Sequence, residues 1–272
     1  MAERSTEARH PVSQGLHLAA SDAVLTALLD AQIAALSAVR PAIPAIEAAA
    51  EAAASALRSG HRMIYAGAGS SGLMALADGL ELAGTFGIAP DRTPILLAGG
   101  TAALLHMQGA VEDDPALAAS DLARAAPGPG DVVICISASG TTPYTVEIAK
   151  GAKARGARII GMANVAGSAL LTLAEIAVLM ETGAEVVSGS TRMGAATAQK
   201  AALNMLSVRV GIKLGHVHDG YMVNVVADNA KLMDRAARIV AAIAECDMAA
   251  ARQALDQSDG AVKPAILIAR GV

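Results

Sequence analysis

The stretch Met63-Ile-Tyr-Ala-Gly-Ala-Gly-Ser-Ser-Gly72, running on into Leu73-Met-Ala-Leu-Ala-Asp78, constrains the fold more than any other part of this chain. An apolar run ends in small residues and opens directly into a helix-like segment. Strand, tight turn and helix in that order aim free backbone N–H groups and the positive end of a helix at one point. Such a point takes an anion, above all a phosphate.

The spelling Gly67-x-Gly69-x-x-Gly72 also matches the dinucleotide fingerprint. That fingerprint wants an acid at the end of the second strand, about 20 residues on, to hold a ribose hydroxyl. Here the next apolar run, Ile95-Leu96-Leu97-Ala98, comes later than that and ends in Gly99-Gly100-Thr101. A dinucleotide is disfavoured. A second turn of the same kind points instead to a phosphomonoester: Val132-Val-Ile-Cys-Ile-Ser137-Ala-Ser139-Gly-Thr141-Thr142-Pro143. It is again strand, hydroxyl-rich turn and helix, with Pro suited to the first helical turn. Two such turns can wrap a terminal phosphate with donors from Gly69, Ser70, Ser71, Ser137, Ser139, Thr141 and Thr142.

Around these turns the chain alternates strand and helix signals. Strand-like runs fall at 63–66, 94–98, 132–137, 158–163 and 176–180, with helix-like stretches near 71–83, 101–109, 115–124, 143–155 and 168–174. The strands are continuously apolar, so both their faces should be covered. That is an α/β order with a mostly parallel central sheet. An arm over 1–20, a helix from Ser21 interrupted at Pro41 and Pro44, and an Ala-rich helix over 45–57 precede it. A long helix over 188–214, capped by Gly189-Ser190-Thr191, follows, then helical stretches near 225–244, 247–255 and 263–270. The expected division is an N-terminal helical arm (1–59), the α/β domain (60–235) and a small helical tail (236–272).

A formal charge of -4 with 1% aromatic residues provides no basic, aromatic-studded surface, which argues against a nucleic-acid partner. Cys135 and Cys246 are unpaired in spacing and read as reduced thiols of a cytoplasmic protein. The opening Met1-Ala-Glu-Arg-Ser-Thr-Glu carries acids and no apolar segment, unlike a secretion signal. Apolar runs are broken by Gly or charge short of a membrane span. His216 and His218 form an H-x-H pair without a third ligand, a weak metal signal, and His106 reads as a helix-packing residue. Gly189, Ser190 and Thr191 could form a third anion contact at a helix start, with Arg192 adding charge and Glu185 and Ser188 nearby.

These residues resemble the sugar isomerase (SIS) fold of phosphosugar-binding proteins and, within it, the N-acetylmuramic acid 6-phosphate etherase family. The segments that carry the resemblance are 64–72, 85–87, 109–113, 138–144 and Gly183-Ala-Glu-Val-Val-Ser-Gly-Ser-Thr-Arg-Met193, continued by Thr197-Ala-Gln-Lys200, Leu203–Leu206 and Asn229–Leu232. Thr6-Glu7-Ala8-Arg9 echoes the family's beginning faintly. The resemblance implies a three-layer α/β fold with helical additions at both ends, a homodimer, and a lyase needing neither metal nor organic cofactor. In such a lyase a base takes the C2 proton of the open-chain sugar, the lactyl ether leaves from C3, and water adds back. Two carboxyl groups with separated roles serve this chemistry. The family's pair falls on Glu81, implied as the acid, and Glu112, implied as the base.

Read without the family, Glu112 in Glu112-Asp113-Asp114-Pro115 is an acidic turn opening a helix. Glu81, between Leu80 and Leu82, is either a partly buried acid with a raised pKa or an exposed helix position. Ser71 and Glu81 are ten residues apart, about 15 Å along an unbroken helix. Either Gly79 breaks that helix, or Glu81 serves a phosphate held by another subunit. The chain also departs from the family: Leu73 and Thr141 replace loop arginines, Gly194 replaces a lysine, Leu82-Ala83-Gly84 replaces Cys-Pro-Pro, and a last C-terminal helix is missing. Fewer cations suit a less anionic substrate or weaker binding. A phosphosugar isomerase with a ring-opening His216 or His218, and a non-catalytic phosphosugar-binding regulator, are the alternatives.

Overall fold

The computed structural model describes residues 6–225, 227 and 229–272. The first five residues of the acidic opening, and positions 226 and 228 in the stretch read as helical near 225–244, lie outside the described residues. Five parallel strands form the central sheet: β1 (Met63–Gly67), β2 (Ile95–Leu97), β3 (Val132–Ser137), β4 (Arg158–Ala163) and β5 (Ile176–Leu179), in the order β2-β1-β3-β4-β5. Every strand expected from a continuous apolar run is present.

Successive side chains on a strand point to opposite faces, and the sheet carries a separate core on each. Met63, Tyr65, Ile134, Ile136, Ile160 and Met162 face one core, and Ile64, Ala66, Val133, Cys135 and Ile159 the other. On the first face lie α2 (Ile43–Arg58), α3 (Gly69–Gly79), α4 (Glu81–Phe86) and α8 (Gly194–Lys213); α1 (Ser21–Ser37) packs outside them on α8. On the second lie α5 (Pro115–Ala125), α6 (Pro143–Ala154) and α7 (Ala169–Leu173). Ala49, Ala50, Ala53 and Ala54 of α2 are wholly buried, so methyl groups let this helix approach the sheet closely. A short hairpin, β6 (Val217–His218) and β7 (Tyr221–Met222), leads to α9 (Ala230–Ala244), α10 (Met248–Gln257) and α11 (Val262–Arg270). These three helices share a third core that includes Ala237, Val240, Ala251 and Ala265.

Four expectations need correction. The stretch 101–109 is no α-helix: a 3₁₀ turn covers Gly100–Leu104, and another covers Gly109–Asp113. His106 lies exposed between them and packs in no helix. The long helix starts at Gly194, not Ser188, and Met193 is its N-cap position, so Gly189-Ser190-Thr191 is a turn ahead of the helix and caps nothing. The helix over 71–83 is two helices meeting at Leu80, and the first already starts at Gly69. Finally, Ser21–Arg58 is long and apolar enough, by length and composition, to cross a membrane, contrary to the reading that no run reaches that size. It is two helices separated by a turn at Arg40–Ala42, and α2 is packed into the first core. The second of these helices is therefore a core helix, whereas α1 buries only Ala35 and leaves Leu25, Leu29, Ile33 and Leu36 exposed.

Candidate active site

In an open parallel sheet, ligands bind at the carboxyl ends of strands where the winding reverses. Here that point lies between β1 and β3, which pair in register from Met63↔Val132 to Gly67↔Ile136. The Gly67–Gly72 and Ser137–Pro143 turns follow these two strands, so they are neighbours.

The first turn is shaped by close approach. A Cβ on Gly72 would meet Leu97 Cδ1 at 2.5 Å and the Gly67 carbonyl oxygen at 2.9 Å. Small residues are therefore required where α3 packs on β1 and β2, which explains the dinucleotide-like spelling without a dinucleotide. Gly69 has φ +52°, and no side chain caps α3. Its first-turn N–H groups, on Gly69, Ser70 and Ser71, lack partners within the helix and face the phosphate point.

The second turn is held by its own hydroxyls. Ser137 Oγ lies 2.8 Å from Thr142 Oγ1 and accepts the Gly140 N–H at 3.0 Å. Ser139 Oγ accepts the Thr141 N–H at 3.2 Å and the Thr141 hydroxyl at 3.1 Å. Pro143 then opens α6, and no side chain caps that helix either. Beneath the turn, Asn164 donates its amide to the Met180 carbonyl (3.0 Å) and accepts from Gln199 Nε2 (2.9 Å), both side chains being fully buried. The Asn164–Gln199 pair went unread as chemistry in the sequence, although Gln199 stands in the Thr197–Lys200 segment that carries the family resemblance.

Glu112 comes to this point from the Gly109–Asp113 turn, which packs on α6. A Cβ on Gly69 would lie 2.3 Å from Glu112 Oε1, so the carboxyl group rests on the first glycine turn. Burial, aided by the neighbouring charge of Asp113, raises its pKa above the ordinary carboxylate value. Asp114, two residues on, is the acidic helix start anticipated: its carboxylate accepts the N–H groups of Ala116 (2.8 Å) and Leu117 (3.2 Å).

Glu81 does not join Glu112. It is exposed at the start of α4, beyond the far end of α3 from Gly69. Leu80, at the interruption, keeps helical dihedrals (φ -67°, ψ -26°), so the break does not fold Glu81 back toward the phosphate turns.

The third anion contact expected at the start of α8 is filled from within. Glu185 Oε2 and Oε1 accept the N–H groups of Gly194 and Ala195, each at 2.9 Å, and the side chain is buried. Gly194 lies so near Glu185 that a Cβ there would stand 3.1 Å from Oε2 and 3.1 Å from Ala35 Cβ. Any side chain at that position would need Glu185 or Ala35 to give by a few tenths of an ångström. Ser190, Thr191 and Arg192 sit in the turn ahead of the helix, with Arg192 exposed. Ser188 Oγ donates to the Glu7 carbonyl at 3.0 Å and ties the N-terminal arm to this turn. His216 packs toward the Phe86 carbonyl, where burial and then the charge of Lys263 lower its pKa; its Nδ1 is buried without a partner. Among the described residues, no group of three or more His, Cys, Asp or Glu side chains could hold a metal ion.

Comparison with known proteins supplies the family. A model described as SIS domain matches residues 29–164. An N-acetylmuramic acid 6-phosphate etherase from Deinococcus radiodurans is 43% identical over 265 residues, covering 97% of this chain and 87% of that protein. The chain belongs to the N-acetylmuramic acid 6-phosphate etherase family. An etherase from Photorhabdus laumondii, 38% identical over 263 residues, has the same coverage of both chains. Among solved structures, a phosphoheptose isomerase from Francisella tularensis aligns with a TM-score of 0.52 at 18% identity, covering 73% of this chain and 100% of that one. A Bacteroides fragilis protein described as a phosphosugar isomerase gives 0.58 at 20% identity, covering 74% and 95%. These two likenesses establish the SIS fold for this etherase-family chain.

Proposed function

We propose that this protein is an N-acetylmuramic acid 6-phosphate etherase, a carbon–oxygen lyase that splits the lactyl ether by elimination and hydration. The observation that carries the reading is the Glu112 carboxyl resting on Gly69, beside two phosphate turns, in a chain of this family. The turns of Gly69–Ser71 and Ser137–Thr142 anchor the 6-phosphate. Glu112 acts as base on the C2 proton, and its raised pKa strengthens it in that role. The C3–oxygen bond then breaks with protonation of the leaving oxygen by Glu81. Water adds at C3 of the unsaturated sugar, leaving N-acetylglucosamine 6-phosphate and D-lactate.

A second copy of the chain brings Glu81 to this chemistry in our reading. α1 exposes Leu25, Leu29, Ile33 and Leu36, and the adjacent α8 exposes Met205, Val208 and Ile212. A contiguous apolar face of this kind marks an interface. Leu80, 66% exposed, stands beside Glu81. A homodimer built on this face shares its site, with phosphate turns and Glu112 from one subunit and Glu81 from the other. Ser190, Thr191 and Arg192 contact the sugar, whereas Glu185 orders the start of α8. We assign three units: helical arm 1–59, phosphosugar domain 60–235 and helical tail 236–272. The enzyme works without a cofactor in the cytoplasm, in recycling of cell-wall amino sugars. The isomerase and regulator readings are not favoured, since the relatives at this identity are etherases.

Incubation with N-acetylmuramate 6-phosphate, beside a Glu112→Gln variant, tests the proposal. D-lactate from the wild type and none from the variant is the expected result. Tight binding of the sugar phosphate without lactate release would overturn it.

A further inference from the structure

Asp78 is an acid where packing alone asks for none. It lies in the last turn of α3, 4% exposed, three residues before Glu81. Its Oδ2 accepts the Tyr65 hydroxyl from β1 at 2.9 Å, and its Oδ1 accepts the Ser207 hydroxyl from α8 at 3.0 Å. Lys200 Nζ, also from α8, stands 3.9 Å from Oδ1 and donates to Asn204 Oδ1 at 2.7 Å. A buried carboxylate is costly to desolvate and persists only where such partners surround it. These partners come from two elements that α3 already touches through apolar contacts. At the neighbouring Gly79, a Cβ would lie 2.8 Å from Ile95 Cδ1. What the carboxylate adds is direction: hydrogen bonds to β1 and α8 fix where α3 ends.

Glu81 opens the six-residue helix that follows, and only Leu82 and Phe86 of that helix are buried. Two apolar anchors and one hydrogen bond, from Asn224 Nδ2 to the Phe86 carbonyl at 3.0 Å, hold the far end of this helix and leave its Glu81 end cheap to shift, whereas acid catalysis needs a carboxyl held to a fraction of an ångström. We infer that Asp78 is a positioning residue for Glu81: clamped by Tyr65, Ser207 and Lys200, it sets the register at which α4 presents its acid. This inference rests on the etherase reading and on the role of Glu81 within it.

The test compares wild type, Asp78→Asn, Tyr65→Phe and Ser207→Ala in lactate release and in hydrogen exchange of the amides of 80–86. Asp78→Asn should lower kcat by about tenfold or more while KM stays within about threefold, because the phosphate turns are untouched. Exchange across α4 should quicken on the order of tenfold relative to β1 and β3. In a Glu81→Gln background, followed by single turnover at high enzyme concentration, the Asp78→Asn change should add no further loss. Wild-type kcat in Asp78→Asn, an equal loss in both backgrounds, or unchanged exchange across α4 would each overturn the inference. Should Asp78→Asn fail to fold, the two single-bond variants carry the same readouts with smaller effects. A wild type that releases no lactate removes the etherase reading by itself, and exchange across α4 then decides the clamp alone.

Discussion

The carboxyl group of Glu112 lies against Gly69, so near that a methyl group on Gly69 would be 2.3 Å from Oε1. The proposed base and the proposed phosphate turn are thus in direct contact. Gly69→Ala should displace Glu112 and also strain a residue with φ +52°. Activity should fall by about 100-fold or more, since about an ångström of misplacement at the reacting centre costs that much. Stability should drop by about 1–2 kcal/mol, read by urea denaturation. An active Gly69→Ala protein would show that Glu112 is free to stand elsewhere.

In the proposed mechanism Glu112 should set the acid limb of the pH profile. A base works ionised, so activity should be present above its raised pKa and fall as pH drops through it. Burial is the larger cause and persists in any surface variant. Asp113→Asn removes the smaller cause, and the acid limb of kcat/KM should move to lower pH. For stability the sign is opposite. A carboxyl raised in the folded state contributes fully below the ordinary carboxylate range, and that contribution is lost as pH rises through the raised value. An acid limb that stays in place in Asp113→Asn would count against Glu112 as the titrating base.

Ser139 offers the cleanest probe of the second turn, because its hydroxyl accepts from Thr141 without anchoring the strand end as Ser137 does. Loss of a hydrogen bond to an ionised phosphate is worth about 1.5–3 kcal/mol. Ser139→Ala should therefore raise KM by about tenfold or more with kcat little changed. Binding of the unphosphorylated sugar, followed by calorimetry, should not respond to this substitution.

Glu185 is assigned to capping, not to the substrate. Glu185→Ala leaves two N–H groups of α8 without a partner and should destabilise the protein by about 1–2 kcal/mol. KM for the sugar phosphate should stay within about twofold, which separates a cap from a ligand contact.

The apolar face of α1 and α8 should hold two copies together. Ile33→Glu with Val208→Glu places like charges in that face, and light scattering should report a monomer. Lactate release should disappear with the dimer if Glu81 is supplied across it. A monomer with full activity would end the shared-site reading.

Strands and phosphate turns were legible because their signals are local: unbroken apolar runs and small-residue turns next to one another in the chain. Other features were not. The start of α8 is decided by Glu185, nine residues upstream of Gly194, so the hydroxyls of Ser190 and Thr191 looked like caps without being so. The interruption at Leu80 is anchored by Asp78 through Tyr65 and Ser207, which lie far away in sequence. The place of Glu81 could be framed only as two options; the helix is interrupted at Leu80, directly after Gly79, with helical dihedrals kept there. The segment 101–109 misled because alanine and leucine favour a helix, whereas Gly99 and Gly100, both at positive φ, begin a tighter turn there.

Leu73 and Thr141 bring no charge to the two turns, and Glu185 neutralises the start of α8. In the proposed mechanism the two turns therefore hold the phosphate with dipoles, which act over a few ångströms and vanish beyond. A formal charge of -4 supplies no attraction at a distance for an anionic sugar. Arrival of substrate is then a matter of unaided diffusion, and capture rates should stay nearly flat across the salt range that slows electrostatically steered enzymes. Such an enzyme trades speed of encounter for indifference to the ionic climate around it.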